Sequence, residues 1–342
     1  MKKIDRRSFL RISGMMGIGI AAFTIPALKA ESIRFNKKLY KVSSTRLGMG
    51  TFVSITVFDP SRSKAEDAIN KAFDEVYSLS DELSRFNRIS AVAQLNMQGK
   101  VKGIPPHMME LMRSSLKYYK ISRGCFDITV KPILDYFQDS FSKGVEPTDK
   151  GIKERMRLIG SDKIVFSGDG ISFKEPGMGI TLDGIAKGYV VDHASKVLEK
   201  YGVRNYLINA GGDIRVSGTK SDNRPWMIAV QDPNKKGHYP AIIKMTKGAI
   251  ATSGNYEIYF DREKLFYHII DPHTGYSPRY DTSVSVISNR CADADALSTT
   301  LFVMGPEKAI RFITRIGGRE AFIITRDGKR FRSPGWNRFL AT

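Results

Sequence analysis

The sequence predicts an α+β fold, with mixed, largely antiparallel sheets and packed helices. Three observations carry that reading. Residues 51–58 alternate Val53, Ile55 and Val57 with Ser54 and Thr56, the period of a half-buried strand. Residues 164–166 and 171–173 flank the turn Ser167-Gly168-Asp169-Gly170 and read as a hairpin. Helical periods stand among such hairpins instead of alternating one for one with strands, which argues against a doubly wound parallel sheet.

In chain order, residues 65–83 place Ala65, Ala68, Ile69, Ala72, Phe73, Val76, Leu79 and Leu83 at helical spacing. A second helix starts at Pro105 or Pro106, where proline suits a first turn, and ends before Gly124. Its Met108, Met109 and Met112 read as core, since methionine fills irregular apolar gaps. Residues 138–155 are polar, contain Gly and Pro, and read as a surface connection. The run Ile180-Thr181-Leu182-Asp183-Gly184-Ile185-Ala186-Lys187-Gly188-Tyr189 turns into an amphipathic helix. Its apolar positions continue through Val190, Val191, Ala194, Val197 and Leu198 until Gly202 stops it. Strands are expected at 205–209, 213–217, 226–231, 241–246, 256–260, 265–270, 282–288 and 321–326, and helices at 292–304 and 306–316. The sequence has no internal repeat, low-complexity tract or second transmembrane segment.

Residues 1–30 stand apart from the fold. Asp5-Arg6-Arg7-Ser8-Phe9-Leu10-Arg11 precedes a modest, Gly-rich apolar run over 12–28, the pattern of a twin-arginine-type export signal with cleavage after Ala30. The alternative is an uncleaved membrane anchor, because the apolar run is borderline in length. No cysteine stands near the cleavage region, which speaks against a lipoprotein. Residues 31–48 read as a polar lead-in. The expected address is periplasmic, with membrane association where the signal is kept.

The 342 residues, 42% of them hydrophobic, suffice for one large domain or two small ones. The net charge of +19 favours anionic partners such as phosphates or membrane surfaces. Basic residues are dispersed and no nucleic-acid-binding motif accompanies them, so nucleic acid is not an expected partner. Cys125 and Cys291 are the only cysteines; their separation decides nothing about a disulfide. Histidines and cysteines show no zinc-type spacing.

Three segments carry candidate chemistry. A helix beginning just after Gly184 exposes N–H groups and a positive dipole end, and Lys187 adds a full charge, so a phosphate is a natural ligand. In Ala292-Asp293-Ala294-Asp295-Ala296-Leu297-Ser298-Thr299-Thr300, Asp295 and Thr299 share one helix face and offer two hard oxygens to Mg2+. The plainer reading is an acidic first turn that caps the helix. In Tyr267-His268-Ile269-Ile270-Asp271-Pro272-His273-Thr274-Gly275, His268 is a candidate base or phosphate-orienting group; the alternative is a structural His268 and an Asp271 that only sets the turn. Phe126, in Gly124-Cys125-Phe126-Asp127-Ile128-Thr129-Val130, either flanks a flat ring or belongs to the core.

Together these segments resemble the FAD:protein FMN transferases, the ApbE family of flavin transferases. The resemblance runs from Met49 to the last helices. It includes Met49-Gly50-Thr51, Leu95-Asn96, Gly124-Cys125-Phe126-Asp127-Ile128-Thr129, Gly184-Ile185-Ala186-Lys187-Gly188-Tyr189, Asn209-Ala210-Gly211-Gly212-Asp213, His268-Ile269-Ile270-Asp271-Pro272 and Ala294-Asp295-Ala296 in the family's order. It implies an ApbE-like domain over 49–342. By resemblance, Met49 contacts flavin, and Phe86 stands where the family usually has tyrosine. Cys125, Phe126 and Asp127 line the nucleotide, and Lys187 and Ile270 touch the cofactor. Thr181 stands where relatives often have aspartate, with Asp183 two places along. The Gly184 carbonyl, Asp295 and Thr299 would hold Mg2+, with Ser298 a weak further ligand. His268 or Asp271 would serve as catalytic base.

The implied reaction cleaves the pyrophosphate of FAD, the substrate, and transfers FMN to a threonine or serine hydroxyl of an acceptor protein, releasing AMP. The implied acceptors are exported or membrane-bound electron-transfer proteins. Two alternatives use the same pocket: an exported FAD carrier, and an FAD pyrophosphatase giving FMN and AMP. The Asp295/Thr299 pair favours an enzyme over a carrier, since flavin binding alone needs no metal.

Overall fold

The computed structural model describes residues 31–34, 38–220, 223–232, 239–254, 268–279, 282–325 and 327–341. The expected signal at 1–30 and the expected strand 256–260 lie outside the described residues.

Residues 31–48, expected to be a lead-in, contribute two strands to the main sheet, β1 (Glu31–Arg34) and β2 (Tyr40–Gly48). Hydropathy hides β2 because its core-facing positions run Tyr40, Val42, Ser44, Arg46, and the last two break the apolar alternation. The Arg46 guanidinium lies 4.3 Å from the centre of the Phe73 ring. A two-residue turn, Met49-Gly50, leads into β3 (Thr51–Asp59), where Val53, Ile55 and Val57 are fully buried as the alternation predicts. Met49 has φ +53° and Gly50 φ +70°, the paired left-handed geometry of a tight hairpin turn.

Helix α1 (Arg62–Leu83) starts at Ser61, whose hydroxyl accepts the Lys64 N–H, and buries all eight positions read from its period. The short α2 (Ala91–Gln98) was not expected, and β4 (Lys100–Val101) follows it. Helix α3 (Pro106–Ser122) has the expected bounds, with Met108 and Met112 in the core. Helices α4 (Lys131–Ser142) and α5 (Asp149–Met156) replace most of the expected surface connection. Their apolar faces are narrow, and they form only a small satellite core around Ile133, Phe137, Ile152 and Ile270. The expected hairpin is β5 (Ile164–Ser167) and β6 (Gly170–Phe173).

Helix α6 (Ala186–Lys200) then leads to β7 (Asn205–Ala210), β8 (Asp213–Ser217), β9 (Trp226–Val230), β10 (Ala241–Met245) and β11 (Lys247–Gly254). The remaining elements are β12 (Thr282–Ser288), α7 (Cys291–Met304), α8 (Pro306–Ile316), β13 (Glu320–Thr325) and β14 (Arg330–Arg332). Of the expected strand 265–270, the described residues 268–270 are irregular; they are held as a cleft wall instead of a ladder. β11 was missed because Lys247-Gly248-Ala249-Ile250-Ala251-Thr252-Ser253-Gly254 is made of small residues without apolar alternation. It is an inner strand, flanked by β8 and β12, so pairing and not hydropathy defines it.

Nine strands form one sheet in the order β1-β2-β3-β7-β8-β11-β12-β13-β14, antiparallel throughout. Both faces are covered at its centre, while Ile33, Leu47 and Phe52 of β1–β3 are exposed. Ala249, Ala251, Ala321 and Ile323 face the helical core with α1, α6 and α7, while Ile250, Phe322 and Ile324 face a second core around Trp226 and Trp336. Helix α7 is buried nearly all round, as a central helix must be. It approaches α6 closely because Gly188 has no side chain: a Cβ there would stand 2.4 Å from the Cys291 carbonyl oxygen. Among the described residues no helix is long and apolar enough to cross a membrane.

Candidate functional site

The ends of several elements meet in one cleft. The 180–184 segment is fixed from below by α2: the Asn96 side chain accepts the Ile180 N–H at 2.7 Å and donates to the Ile180 carbonyl at 2.9 Å. Thr181 donates its N–H to Ile128 O at 2.8 Å, and its hydroxyl accepts the Asp183 N–H at 3.2 Å. Helix α6 begins directly after this turn without a side-chain cap. The N–H of Gly188 in its first turn is taken by the Asp295 carboxylate of α7 at 2.9 Å. A carboxylate thus already occupies part of the helix terminus that the sequence offered to a phosphate.

Cys125, Phe126, Asp127, Thr181, Gly184 and Lys187 line the cleft, joined by His268, Ile270, Asp295 and Thr299. These candidates come from four separate stretches of sequence, and the fold brings them together. Met49, Phe86 and Asp271 are not among the lining residues. Met49 sits in its hairpin turn, next to the Gly211-Gly212 turn because β3 pairs with β7. The Phe86 ring is 74% exposed, with Arg85 over it at 4.2 Å; Arg85 in turn reaches Asp183 at 3.3 Å on the cleft wall. The Asp271 carboxylate accepts the His273 N–H at 2.9 Å and contacts His273 Nδ1 at 3.1 Å, so it organises the turn. His273 Nε2 meets the Arg123 carbonyl at 2.9 Å, tying that turn to the end of α3.

Asp127 lines the cleft, yet its oxygens are engaged. They accept the N–H and hydroxyl of both Thr129 and Ser161, joining the 127–129 turn to the start of the β5 hairpin. Phe126 is 3% exposed, packs edge-on against Tyr118 at 5.9 Å and touches Gly184, so it is core and cleft wall at once. Cys125 and Cys291 are both free thiols, and burial raises the pKa of each.

Charge concentrates at the cleft's inner end. Asp213, 2% exposed, forms an ion pair with Lys187 at 3.3 Å. Asp295 is also buried; desolvation and then the Asp213 charge push its pKa well above the carboxylate range. An acid kept protonated by burial and by a second acid is one that a divalent cation, by displacing the proton, would turn into a ligand. Thr299 Oγ1 lies 3.3 Å from Ser253 Oγ, and Gly184 stands directly against Thr299. A carboxylate, a hydroxyl and a backbone carbonyl are hard oxygen donors and fit Mg2+. Ser298 is turned away, donating to the Asp295 carbonyl at 2.9 Å and contacting Ser253 at 2.7 Å. Asp213, Thr252 and Ser253 are cleft residues to which the sequence reading gave no role. The first was visible in the Asn209-Ala210-Gly211-Gly212-Asp213 motif; the other two lie on the unrecognised β11.

The ApbE family matches residues 49–323 of this chain. The FAD:protein FMN transferase of Haemophilus influenzae is 30% identical over 318 residues, 87% of this chain and 88% of the relative. That of Vibrio cholerae is 30% identical over 249 residues, covering 71% of this chain and 74% of the relative. Among solved structures, the ApbE protein of Thermotoga maritima superposes with a TM-score of 0.80 at 28% identity, over 88% of this chain and all of the other. The flavin transferase ApbE of Vibrio cholerae gives 0.76 at 26% identity, over 91% of this chain and all of the other. The chain belongs to the ApbE family.

Proposed function

We propose that this flavin transferase of the ApbE family moves FMN from FAD to a threonine or serine hydroxyl of an acceptor protein, releasing AMP, with Mg2+ held by Asp295, Thr299 and the Gly184 carbonyl. The observation that carries the reading is the meeting of these three groups with Lys187 and Asp213 in one cleft. Asp295, Thr299 and Gly184 would hold the cation, which would supply charge neutralisation on the diphosphate. Lys187 places a positive charge on the same side, and Asp213 holds its ammonium in position. Phe126 and Ile270 provide the apolar wall that shields the reacting phosphate from water.

His268 is the group on this wall suited to accept the acceptor's hydroxyl proton. The freed oxygen then bonds to the FMN phosphorus, the bond from that phosphorus to the bridging oxygen breaks, and AMP leaves with the bridging oxygen. Asp271 serves this step only through the turn that it organises.

Arg6 and Arg7 support export by the twin-arginine route, with acceptors among exported or membrane-bound electron-transfer proteins. Replacing both with lysine is expected to hold the precursor in the cytoplasm; normal periplasmic accumulation would point to another route.

The function is tested by incubating the protein with FAD, Mg2+ and candidate acceptor domains and reading covalent flavin fluorescence on a denaturing gel. A fluorescent acceptor band is expected. Free FMN and AMP without labelled acceptor would make the protein a pyrophosphatase, and unaltered FAD would make it a carrier.

A further inference from the structure

Outside the residues that line the cleft, Glu75, His107 and His193 converge on α6. One ligand-capable atom from each lies within 4.8 Å of the others. Glu75 comes from α1, His107 from the first turn of α3 and His193 from the middle of α6. Glu75 Oε1 is 3.5 Å from His193 Nδ1, and the two imidazoles meet edge to face with centroids 4.8 Å apart. Tetrahedral zinc with bonds of about 2.0–2.1 Å holds neighbouring ligand atoms about 3.3 Å apart. The Glu75–His193 pair already stands near that spacing. We propose that Glu75, His107 and His193 form a binding site for a zinc-class divalent transition metal, with water completing the tetrahedron.

The surroundings prepare His107 to ligate. Tyr189 donates its hydroxyl proton to Glu110 at 2.8 Å, and Glu110 is held by Arg290 at 3.2 Å. The Tyr189 oxygen therefore acts as acceptor in its 2.9 Å contact with His107 Nδ1. That assigns the proton to Nδ1 and leaves the Nε2 lone pair available for a metal. Such an outer hydrogen bond, which fixes tautomer and ring orientation, accompanies most metal-bound histidines. Glu110 itself is kept ionised: burial raises its pKa, but Tyr189 and Arg290 outweigh that and lower it overall.

His193 turns its Nδ1 toward Glu75. Its Nε2 contacts the exposed Lys196 Nζ at 3.3 Å; metal on Nδ1 puts the proton on Nε2 and turns that lysine out to solvent. The charged groups facing the cluster are Glu75 and Glu110 against Lys196 and Arg290. The side chains of His193 and Glu75 remain 12% and 31% exposed, so an ion and its water have access.

Two imidazoles and one carboxylate suit Zn2+ and its neighbours and not Mg2+, which takes oxygen ligands. This site is therefore chemically distinct from the cleft. An ion here would tie α1, α3 and α6 together, and α6 carries Lys187 and Gly188 to the cleft. Its role would be to fix the helix that positions them.

The test uses the full chain, stripped by chelator and titrated calorimetrically with Zn2+, and separately with Co2+ followed by visible absorption. Expected are a Zn2+ site that Mg2+ does not displace, tetrahedral Co2+ bands, and a rise in melting temperature with Zn2+. All three should persist in Asp295→Ala. His107→Gln and His193→Gln should each weaken Zn2+ binding by about a hundredfold or more and abolish the Co2+ bands. Where a histidine variant fails to fold, Glu75→Gln, at a partly exposed side chain, carries the same comparison. Zn2+ affinity unchanged in these variants, or no Zn2+ binding by the wild-type chain, would overturn the proposal and leave a hydrogen-bonded ring cluster.

Discussion

Asp192 and Asp295 stand on facing helices, α6 and α7, and each accepts N–H groups from the first turn of the other helix. Asp192 takes the N–H groups of Cys291 and Ala292 at 2.9 and 3.0 Å, and Asp295 takes that of Gly188 at 2.9 Å. They are almost equally buried, at 4% and 5% exposure. Their charge environments differ. Asp192 is met by Arg215 at 2.8 Å and approached by Arg290 at 3.8 Å, so burial raises its pKa while its partners pull it back. Burial raises the pKa of Asp295 too, and there Asp213 adds to the rise. A buried acid matched by arginine holds helices together. One placed beside a second acid is suited to a cation brought from outside, and that difference, not burial, separates architecture from chemistry on this seam.

The largest effect expected is on activity. Asp295→Ala should reduce FMN transfer by about a thousandfold or more, since it removes the proposed Mg2+ ligand and with it transition-state charge stabilisation. Its loss of stability in urea should be smaller than that of Asp192→Ala, because it orphans one helix N–H and no arginine. Transfer that survives complete chelation of Mg2+ in the wild-type protein would break the assignment. Asp192→Ala should act the other way, costing about 3–5 kcal/mol by leaving Arg215 and two helix N–H groups without their carboxylate. A urea midpoint close to that of the wild type would erase the contrast.

Gly188→Ala probes the seam itself. The added Cβ meets the Cys291 carbonyl, which is backbone and cannot rotate away, so the helices must part at a cost of about 1–3 kcal/mol. Melting temperature and transfer rate should fall together, because both acids bridge this seam; a loss confined to one would show that the two ends move independently. Phe86→Tyr should be the quietest change. With the ring mostly exposed and outside the lining residues, stability should stay within about 0.5 kcal/mol and FAD affinity should not change. A clear gain in affinity would bring residue 86 into the flavin site, as the family resemblance implies.

Periodicity in the sequence was sufficient wherever an element carries its own pattern. α1, α3, α6, α8 and the β5 hairpin were legible because apolar residues recur at the helix or strand period, and Asp295 and Thr299 share a face wherever they form a helix. The resemblance motifs named most of the cleft for the same reason: each is a contiguous string.

Tertiary structure decided the rest. β2 presents Ser44 and Arg46 to the core and β11 is built of small residues, so both become strands only because partners hydrogen-bond to them on each side. α4 and α5 gain their buried faces from Ile270, far along the chain. The pairing of Asp213 with Lys187, its closeness to Asp295, and the convergence of Glu75, His107 and His193 have no counterpart in any window of sequence. Local propensity acts over a few residues, whereas these charges and ligands meet because separate helices pack on one sheet, which fixes distances that spacing along the chain cannot encode.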